Sequence, residues 1–149
     1  IIDGAMGTVI QREKLQEEDY RGEEFKDHPI YLKNNNDALN ITKPNLIKKI
    51  YESYLEAGAD IIETNTFNST SISLEDFGMQ HLAYKLNYES AKIARIACDE
   101  YRKKHNKKVF VAGAVGPTSK TASISPKIDD GSLRNIDFDT LKNSYKEQI

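Results

Sequence analysis

Three short strings hold the side chains that could do chemistry. Ile1-Ile2-Asp3-Gly4-Ala5-Met6-Gly7-Thr8 sets a carboxylate beside two glycines, and the run from Gly58 to Phe67 sets Glu63 and Asn65 two residues apart. The third, Val109 to Pro117, closes on Gly113, Gly116 and Pro117, with the hydroxyls of Thr118, Ser119, Thr121, Ser123 and Ser125 beyond it. A carboxylate can hold an ammonium while neighbouring glycine N–H groups hold a carboxylate, and an α-amino acid carries both. Asp3 and Gly4 are therefore candidate binding residues for an amino acid. An Asp before a Gly is equally a common turn, so two readings stand there. Glu63 and Asn65 share one face of an extended segment. Polar groups buried against apolar helix faces are costly unless satisfied, so these two either point into an open mouth or join a hydrogen-bond network across strands. Gly116 lies at the same end of its own segment, as a neighbour of that mouth.

Other chemistries lack the spacing they need. His28, His81 and His105 are scattered and Cys98 falls within a helical pattern, so no metal ligand and no catalytic residue is assigned. Cys98 reads as a small core residue. The chain contains neither GxxxxGK[ST] nor GxGxxG, which disfavours a phosphate grip near Gly116.

The three strings are short apolar runs ending in small or polar residues, and helical patterns separate them. That is the grammar of strand, loop and helix, repeated. In such folds chemistry collects at the C-terminal ends of the strands, where Asp3, Glu63, Asn65 and Gly116 fall. Ile1 to Asp3 reads as the end of a buried strand, Asp60 to Phe67 as the second and Val109 to Val115 as the third. Thr8 to about Leu15 predicts a short helix. Residues 16–40 form an irregular excursion, with Asn34-Asn35-Asn36 as a solvated turn. Thr42-Lys43-Pro44 opens a helix with Thr42 as its cap; Leu46, Ile47, Ile50, Tyr51, Tyr54 and Leu55 share its apolar face and Gly58 ends it. Residues 68–73 form a polar loop. A long helical pattern follows from about Leu74 to Lys104, with Gly78 able to break it. Its buried stripe is Leu82, Leu86, Ile93, Ala94, Ala97, Cys98 and Tyr101. Beyond a second polar loop, residues 118–134, Asp137 caps a last helix with Phe138, Leu141 and Tyr145 on one face. Three parallel strands cannot close a barrel of eight, and the α/β pattern matches the first third to half of one. The pattern stops within the last helix at Ile149, so the chain is expected to be a piece of something larger.

Composition narrows the partners. Charged residues make up 30%, hydrophobic ones 38%, and the net charge is −2, ordinary for one soluble domain. There is no basic surplus for nucleic acid or an acidic membrane. The run Arg102 to Lys108 reads as a solvated helix end that complements the helix dipole. No apolar stretch approaches the roughly 20 residues of a membrane helix. A single cysteine excludes an internal disulfide and fits a reducing, cytoplasmic location.

Taken together, Asp3 through Thr8, Phe25-Lys26-Asp27-His28, the stretch Asn35 to Pro44, Glu63 through Ser71 and Gly113 through Pro126 resemble the cobalamin-dependent methionine synthases. The match is to their N-terminal homocysteine-binding domain and spans essentially the whole chain. The strings Glu63 to Ser71 and Gly116-Pro117-Thr118, in order and at the right spacing, carry most of it. The Phe25 to Pro44 excursion favours this family over the shorter zinc-dependent homocysteine methyltransferases that use betaine or S-methylmethionine, which remain the alternative. A non-catalytic homocysteine-binding or structural piece is a third reading. The resemblance implies a (β/α)8 TIM barrel, of which residues 1–149 would be about the first three β/α units, a partial homocysteine-binding domain. It implies methyl transfer from methylcobalamin to the thiol of homocysteine, giving methionine, with cobalamin and folate domains of the same polypeptide as partners. It also implies zinc, held by three Cys thiolates on later strands, which stabilises a substrate thiolate that a free thiol of pKa about 8.5 scarcely forms at neutral pH. Zinc and cobalamin would belong to the intact enzyme; ligands for neither lie in this chain, and Cys98 matches none of the zinc cysteines. Asp3 and Gly4 match the positions that hold the amino-acid end of homocysteine, with Glu63, Asn65 and Gly116 as neighbours at the same mouth.

Overall fold

Two short parallel strands organise the chain. The computed structural model describes residues 1–125 and 127–149; Pro126, which ends the Gly113 to Pro126 string, lies outside the described residues. Strand β1 is Ile61–Glu63 and β2 is Phe110–Ala112, parallel, with Ile62 opposite Val111. Ile2 forms a parallel bridge to Ile61 on the other side of β1. The order across the sheet is therefore residue 2, β1, β2, with a helical crossover before each of the last two.

The strands are shorter than the apolar runs suggest. Thr64 N–H still reaches Ala112 O (2.9 Å), but Thr66 N–H turns back onto Thr64 O (2.9 Å), which ends the ladder. The first segment differs more: Ile1 is 84% and Ile2 51% exposed, so it is a bridge at the sheet edge and not a buried strand.

Local sequence explains most of the helices. Helix α1 (Met6–Arg12) starts two residues before Thr8, since Gly7 continues it, and Lys14 at φ +51 turns the chain after it. Helix α2 (Glu17–Arg21) lies inside the expected irregular excursion; Gln16 N–H donates to Asp19 Oδ2 (2.8 Å) in a reciprocal cap. Helix α3 (Leu39–Thr42) precedes α4 (Pro44–Glu56). Thr42 does not cap α4. It closes α3, where its Oγ1 donates to Ala38 O (3.4 Å), and Lys43 stands before α4 without a side-chain cap. Pro44 at the first helical position sets φ and needs no donor there.

The core lies between α4 and α6 (Ala83–His105), which pack on each other under β1. Ile47, Ile50, Tyr51 and Leu55 face Leu86, Ile93, Ala94, Ala97 and Cys98, with Ile62 closing the layer from the sheet. Fully burying each Leu or Ile contributes about 1.5–3 kcal/mol. Cys98 is a buried core residue, as its helical position implies. Gly78 does break the long helical pattern. Helix α5 (Ser71–Leu74) and a 3₁₀ turn precede it, and a second turn leads into α6. Gly78 is left-handed at φ +63, and a Cβ there would meet Ile30 Cδ1 at 2.8 Å. Ser71 to Ser73 fall in α5 and not in a loop, because Thr70 Oγ1 accepts from Ser73 N–H (3.1 Å).

Helix α7 (Phe138–Gln148) is capped by Asp137, which accepts from Thr140 N–H (2.8 Å). Its inner face is not the apolar one: Phe138 is 70% exposed, while Ser144 and Gln148 are buried beside half-buried Leu141 and Tyr145. The surface it meets is polar, so polar groups go inward. Ser144 Oγ pairs with Ser71 Oγ (2.8 Å) and Gln148 Nε2 donates to Thr66 O (2.8 Å).

The excursion is ordered by one half-buried ion pair. Arg21 Nε meets Glu17 Oε1 at 2.6 Å, and the same guanidinium donates to the carbonyls of Phe25 (3.2 Å), His28 and Ile30 (3.0 Å). Glu17 in turn accepts from the N–H groups of Leu32 (2.9 Å) and Lys33 (2.6 Å). Arg21→Ala is expected to lower stability by about 2 kcal/mol and to open residues 22–33 to proteolysis. Arg21→Lys should not restore it, since one ammonium cannot span those acceptors. Limited proteolysis with a thermal melt checks both.

The basic run at the end of α6 is partly neutralised by acidic neighbours. Lys104 pairs with Glu56 (2.8 Å) and Lys107 with Asp60 (2.8 Å). Among the described residues, no helix is long and apolar enough to cross a membrane.

Candidate functional site

A cleft of about 470 Å³ opens where β1 ends, lined by Asp3, Gly4, Asp37, Glu63, Asn65 and Phe67 among others. The sheet positions its first carboxylate. Asp3 N–H donates to Ile61 O (2.9 Å), and Asp3 Oδ2 accepts from Glu63 N–H (3.0 Å). Asp3 Oδ1 is buried with no hydrogen-bond partner among the described residues. Burial pushes this carboxyl up to about 6, opposed by the Glu63 N–H bond and assisted by the Glu63 charge. A buried acceptor left unpaired costs free energy that a cationic ligand donor would recover. The backbone N–H groups of Gly4 and Ala5, beside it, donate to no acceptor among the described residues. Asp3 and Gly4 both line the cleft.

Glu63 and Asn65 line the same cleft but differ in role. Glu63 is exposed at its mouth. Asn65 is built into a network: its Nδ2 donates to Asn36 O (2.8 Å) and Asn40 Oδ1 (3.1 Å), and its carbonyl accepts from Asn40 Nδ2 (2.8 Å). Its backbone N–H donates to both Tyr51 Oη and Ser90 Oγ, each at 2.8 Å. Burial pushes the Tyr51 phenol up to about 12, so it stays protonated and serves α4 and α6 as a neutral hydrogen-bonding group. Asn65→Asp is expected to cost about 2–4 kcal/mol, since a carboxylate cannot donate to Asn36 O and would face Asn40 Oδ1. Chemical denaturation checks this; an Asp variant as stable as the wild type would sink the network role.

Gly116 is not in the cleft wall. It lies behind Phe67, where a Cβ would come within 2.2 Å of Phe67 O and 2.9 Å of the Phe67 ring. Its own carbonyl accepts from Tyr145 Oη–H (2.9 Å). Between the two strand ends, Thr64 Oγ1 accepts from Ala114 N–H (2.9 Å) and Thr66 Oγ1 donates to Ala114 O (2.8 Å).

The residue that sequence reasoning missed is Asp37. It lines the cleft yet is only 2% exposed, and burial pushes its carboxyl up to about 6. Asn34 to Asn36 is not the solvated turn that its composition suggests. Asn34 is exposed at φ +75, but Asn35 is 3% exposed and its Oδ1 accepts from Ala38 N–H (3.3 Å). The available signal was the run of capping side chains set directly before apolar Ala38-Leu39, which marks a helix start as readily as a loop.

Zinc does not fit the residues at hand. Among the described residues no group of three or more His, Cys, Asp or Glu could hold a metal ion, the cleft carboxylates included. Cys98 Sγ points to Phe110 O (3.8 Å), and burial raises its thiol pKa, which disfavours a thiolate ligand.

Comparison with known proteins places this architecture. The fold matches two crystal structures of the homocysteine methyltransferase MmuM from Escherichia coli. The metallated form aligns with TM-score 0.69 and 20% identity over 99% of this chain and 48% of that one. The oxidised form aligns with TM-score 0.59 and 24% identity over 78% of this chain and 36% of that one. At these identities the likeness is one of fold, a mixed α/β arrangement of the TIM-barrel kind, and the chain spans about half the length of those proteins or less. The family profile described as homocysteine S-methyltransferase matches residues 1–149. Over its whole length, this chain belongs to the homocysteine S-methyltransferase family.

Proposed function

We propose that this chain supplies the amino-acid end of a homocysteine site in a methyltransferase that forms methionine. The observation that carries the reading is Asp3 Oδ1, a buried acceptor with no donor among the described residues, beside the amides of Gly4 and Ala5, which donate to no acceptor among them. An α-ammonium satisfies the first and an α-carboxylate the second. Glu63 at the mouth adds negative potential for the ammonium. In the reaction the substrate thiol loses its proton and its sulfur bonds to the methyl carbon as the donor's bond to that carbon breaks, the electron pair of that bond staying with the demethylated donor. The described residues hold and orient the amino acid; they provide no group that activates the sulfur. The complete (β/α)8 barrel, zinc, and cobalamin and folate domains on the same polypeptide are part of this proposal, which the excursion from Phe25 to Pro44 supports over a donor such as betaine or S-methylmethionine.

Calorimetric titration of the intact protein with L-homocysteine and with 4-mercaptobutanoate, which lacks the ammonium, tests the reading. Homocysteine should bind at least tenfold more tightly, as expected for one charge-assisted hydrogen bond. Equal affinity would remove Asp3 from the site. Methyl-transfer assays with methylcobalamin, betaine and S-methylmethionine then decide the donor.

A further inference from the structure

Asp37 performs no step in the reading above, yet its carboxylate is almost wholly buried at the cleft wall. Oδ1 accepts from Ser69 Oγ–H (2.6 Å) and from Asn68 N–H (3.1 Å), 32 and 31 residues away in sequence. Those two residues directly follow Phe67, which lines the cleft and is 57% exposed. Phe67 is held from behind by the close approach of Gly116. The loop carrying it is otherwise tied down by Ser69 N–H to Thr66 O (3.1 Å) and by Asn87 Nδ2 to Ser69 O (2.9 Å). With 2% of its surface accessible, Asp37 can contact a ligand only marginally. Its two strong bonds go to the loop. A buried acceptor is tolerated only where it is hydrogen-bonded, so the role of Asp37 is to be sought in those two bonds.

We infer that Asp37 is a positioning residue for homocysteine binding: it latches the Phe67–Ser69 loop to the excursion before α3 and so holds Phe67 as the fixed wall of the cleft. This rests on the homocysteine reading proposed above. The apolar wall then stands in the same cleft as Asp3, suited to a substrate with a charged end and an apolar thiol side chain. Without the latch the loop still forms, but Phe67 samples other positions and the cleft loses its shape.

The test compares Asp37→Ala, Asp37→Asn, Ser69→Ala and the double Asp37→Ala/Ser69→Ala in the intact protein. L-homocysteine affinity is measured by calorimetry and loop order by amide hydrogen exchange at residues 67–70. Asp37→Ala and Ser69→Ala should each weaken homocysteine binding about fivefold or more and speed exchange at residues 68 and 69. The double variant should be no worse than Asp37→Ala, because both remove one latch. Asp37→Asn keeps an oxygen acceptor for both donors and should restore most of the affinity. Ile47→Ala in the core serves as the comparison: it should lower Tm without changing affinity. Unchanged affinity in folded Asp37→Ala overturns the inference. So does an Asn variant as weak as the Ala variant, which would make the charge itself a ligand. Should Asp37→Ala fail to fold, Ser69→Ala decides on the same readouts. Failure of the substrate reading shows separately, as absence of homocysteine binding to the wild type, and it overturns this inference as well.

Discussion

Asp3→Ala in the intact protein is expected to weaken L-homocysteine binding by about 10- to 100-fold at pH 7.5, the loss expected when a charge-assisted hydrogen bond disappears. The pH dependence makes the prediction specific. The Asp3 carboxyl titrates at about 6 in the ligand-free fold, raised by burial. An ammonium favours the ionised form, so affinity should rise as pH increases through about 6 and level off above it. Asp3→Asn should be weak and flat over the same window. Folding stability runs the other way. A carboxyl whose folded pKa lies above its unfolded value takes its proton more readily when folded. Its stabilising contribution is therefore full below the unfolded value, near 4, and is lost as pH rises through about 6. Asp3→Asn should remove this slope from the melting temperature of the ligand-free protein. Wild-type affinity that is constant between pH 5 and 7 would show that Asp3 does not meet the ammonium.

Gly116→Ala is expected to lower both stability and homocysteine affinity, because it meets the tightest approach found at any described glycine. The new Cβ would sit 2.2 Å from Phe67 O, a backbone atom that cannot swing aside as a side chain can. Relief requires the segment after β1 or the segment after β2 to move. Thr64, Thr66 and Ala114 tie those two segments together, so strain at one is passed to the other. Overpacking of this kind costs about 1–3 kcal/mol and more where the backbone must shift, or roughly 2–4 °C of Tm per kcal/mol for a domain of this size. Phe67 lines the cleft, so homocysteine affinity should fall together with Tm. Gly113→Ala is the internal comparison, since a Cβ there meets nothing within 4 Å and should leave both quantities near wild type. Thermal melts and titration of the two variants side by side check this. A Gly116→Ala protein with wild-type Tm and affinity would show that the approach of Phe67 to Gly116 is not maintained in solution.

Much of the architecture is local and is written in the order of residues. The apolar runs Ile1 to Asp3, Asp60 to Phe67 and Val109 to Val115 announce extended segments, although the strands that form are shorter and the first is only an edge bridge, and 3.6-residue spacing announces the faces of α4 and α6 on which the core is built. Gly78 breaks the long helical pattern and Asp137 caps α7 because both effects act within one helical turn. Asp3 and Gly4 can be proposed as a pair from sequence for the same reason: they are adjacent, whatever the rest of the chain does.

The remaining features depend on which distant segments meet, and no periodicity encodes that. Asn34 to Asp37 has the composition of a solvated turn. It is pulled into the protein because Asn65, 29 residues beyond Asn36, and Ser69, 32 residues beyond Asp37, supply the hydrogen bonds that make burial tolerable. Whether Asn65 faced an open mouth or a network was equally undecided until Asn36 and Asn40 arrived beside it. Gly116 was legible as a strand-end bend, but its constraint comes from Phe67, nearly 50 residues earlier, pressed against the place a side chain would take. Helix α7 turns Ser144 and Gln148 inward and leaves Phe138 in solvent because the face it lands on offers Ser71 and the Thr66 carbonyl. The sequence by itself determined the alternation of strand and helix, the core faces and the position of Asp3 at the end of the first segment. Only the tertiary structure decided which polar side chains pair, because a buried hydrogen bond needs both partners present at once, and only folding brings them within 3 Å of each other.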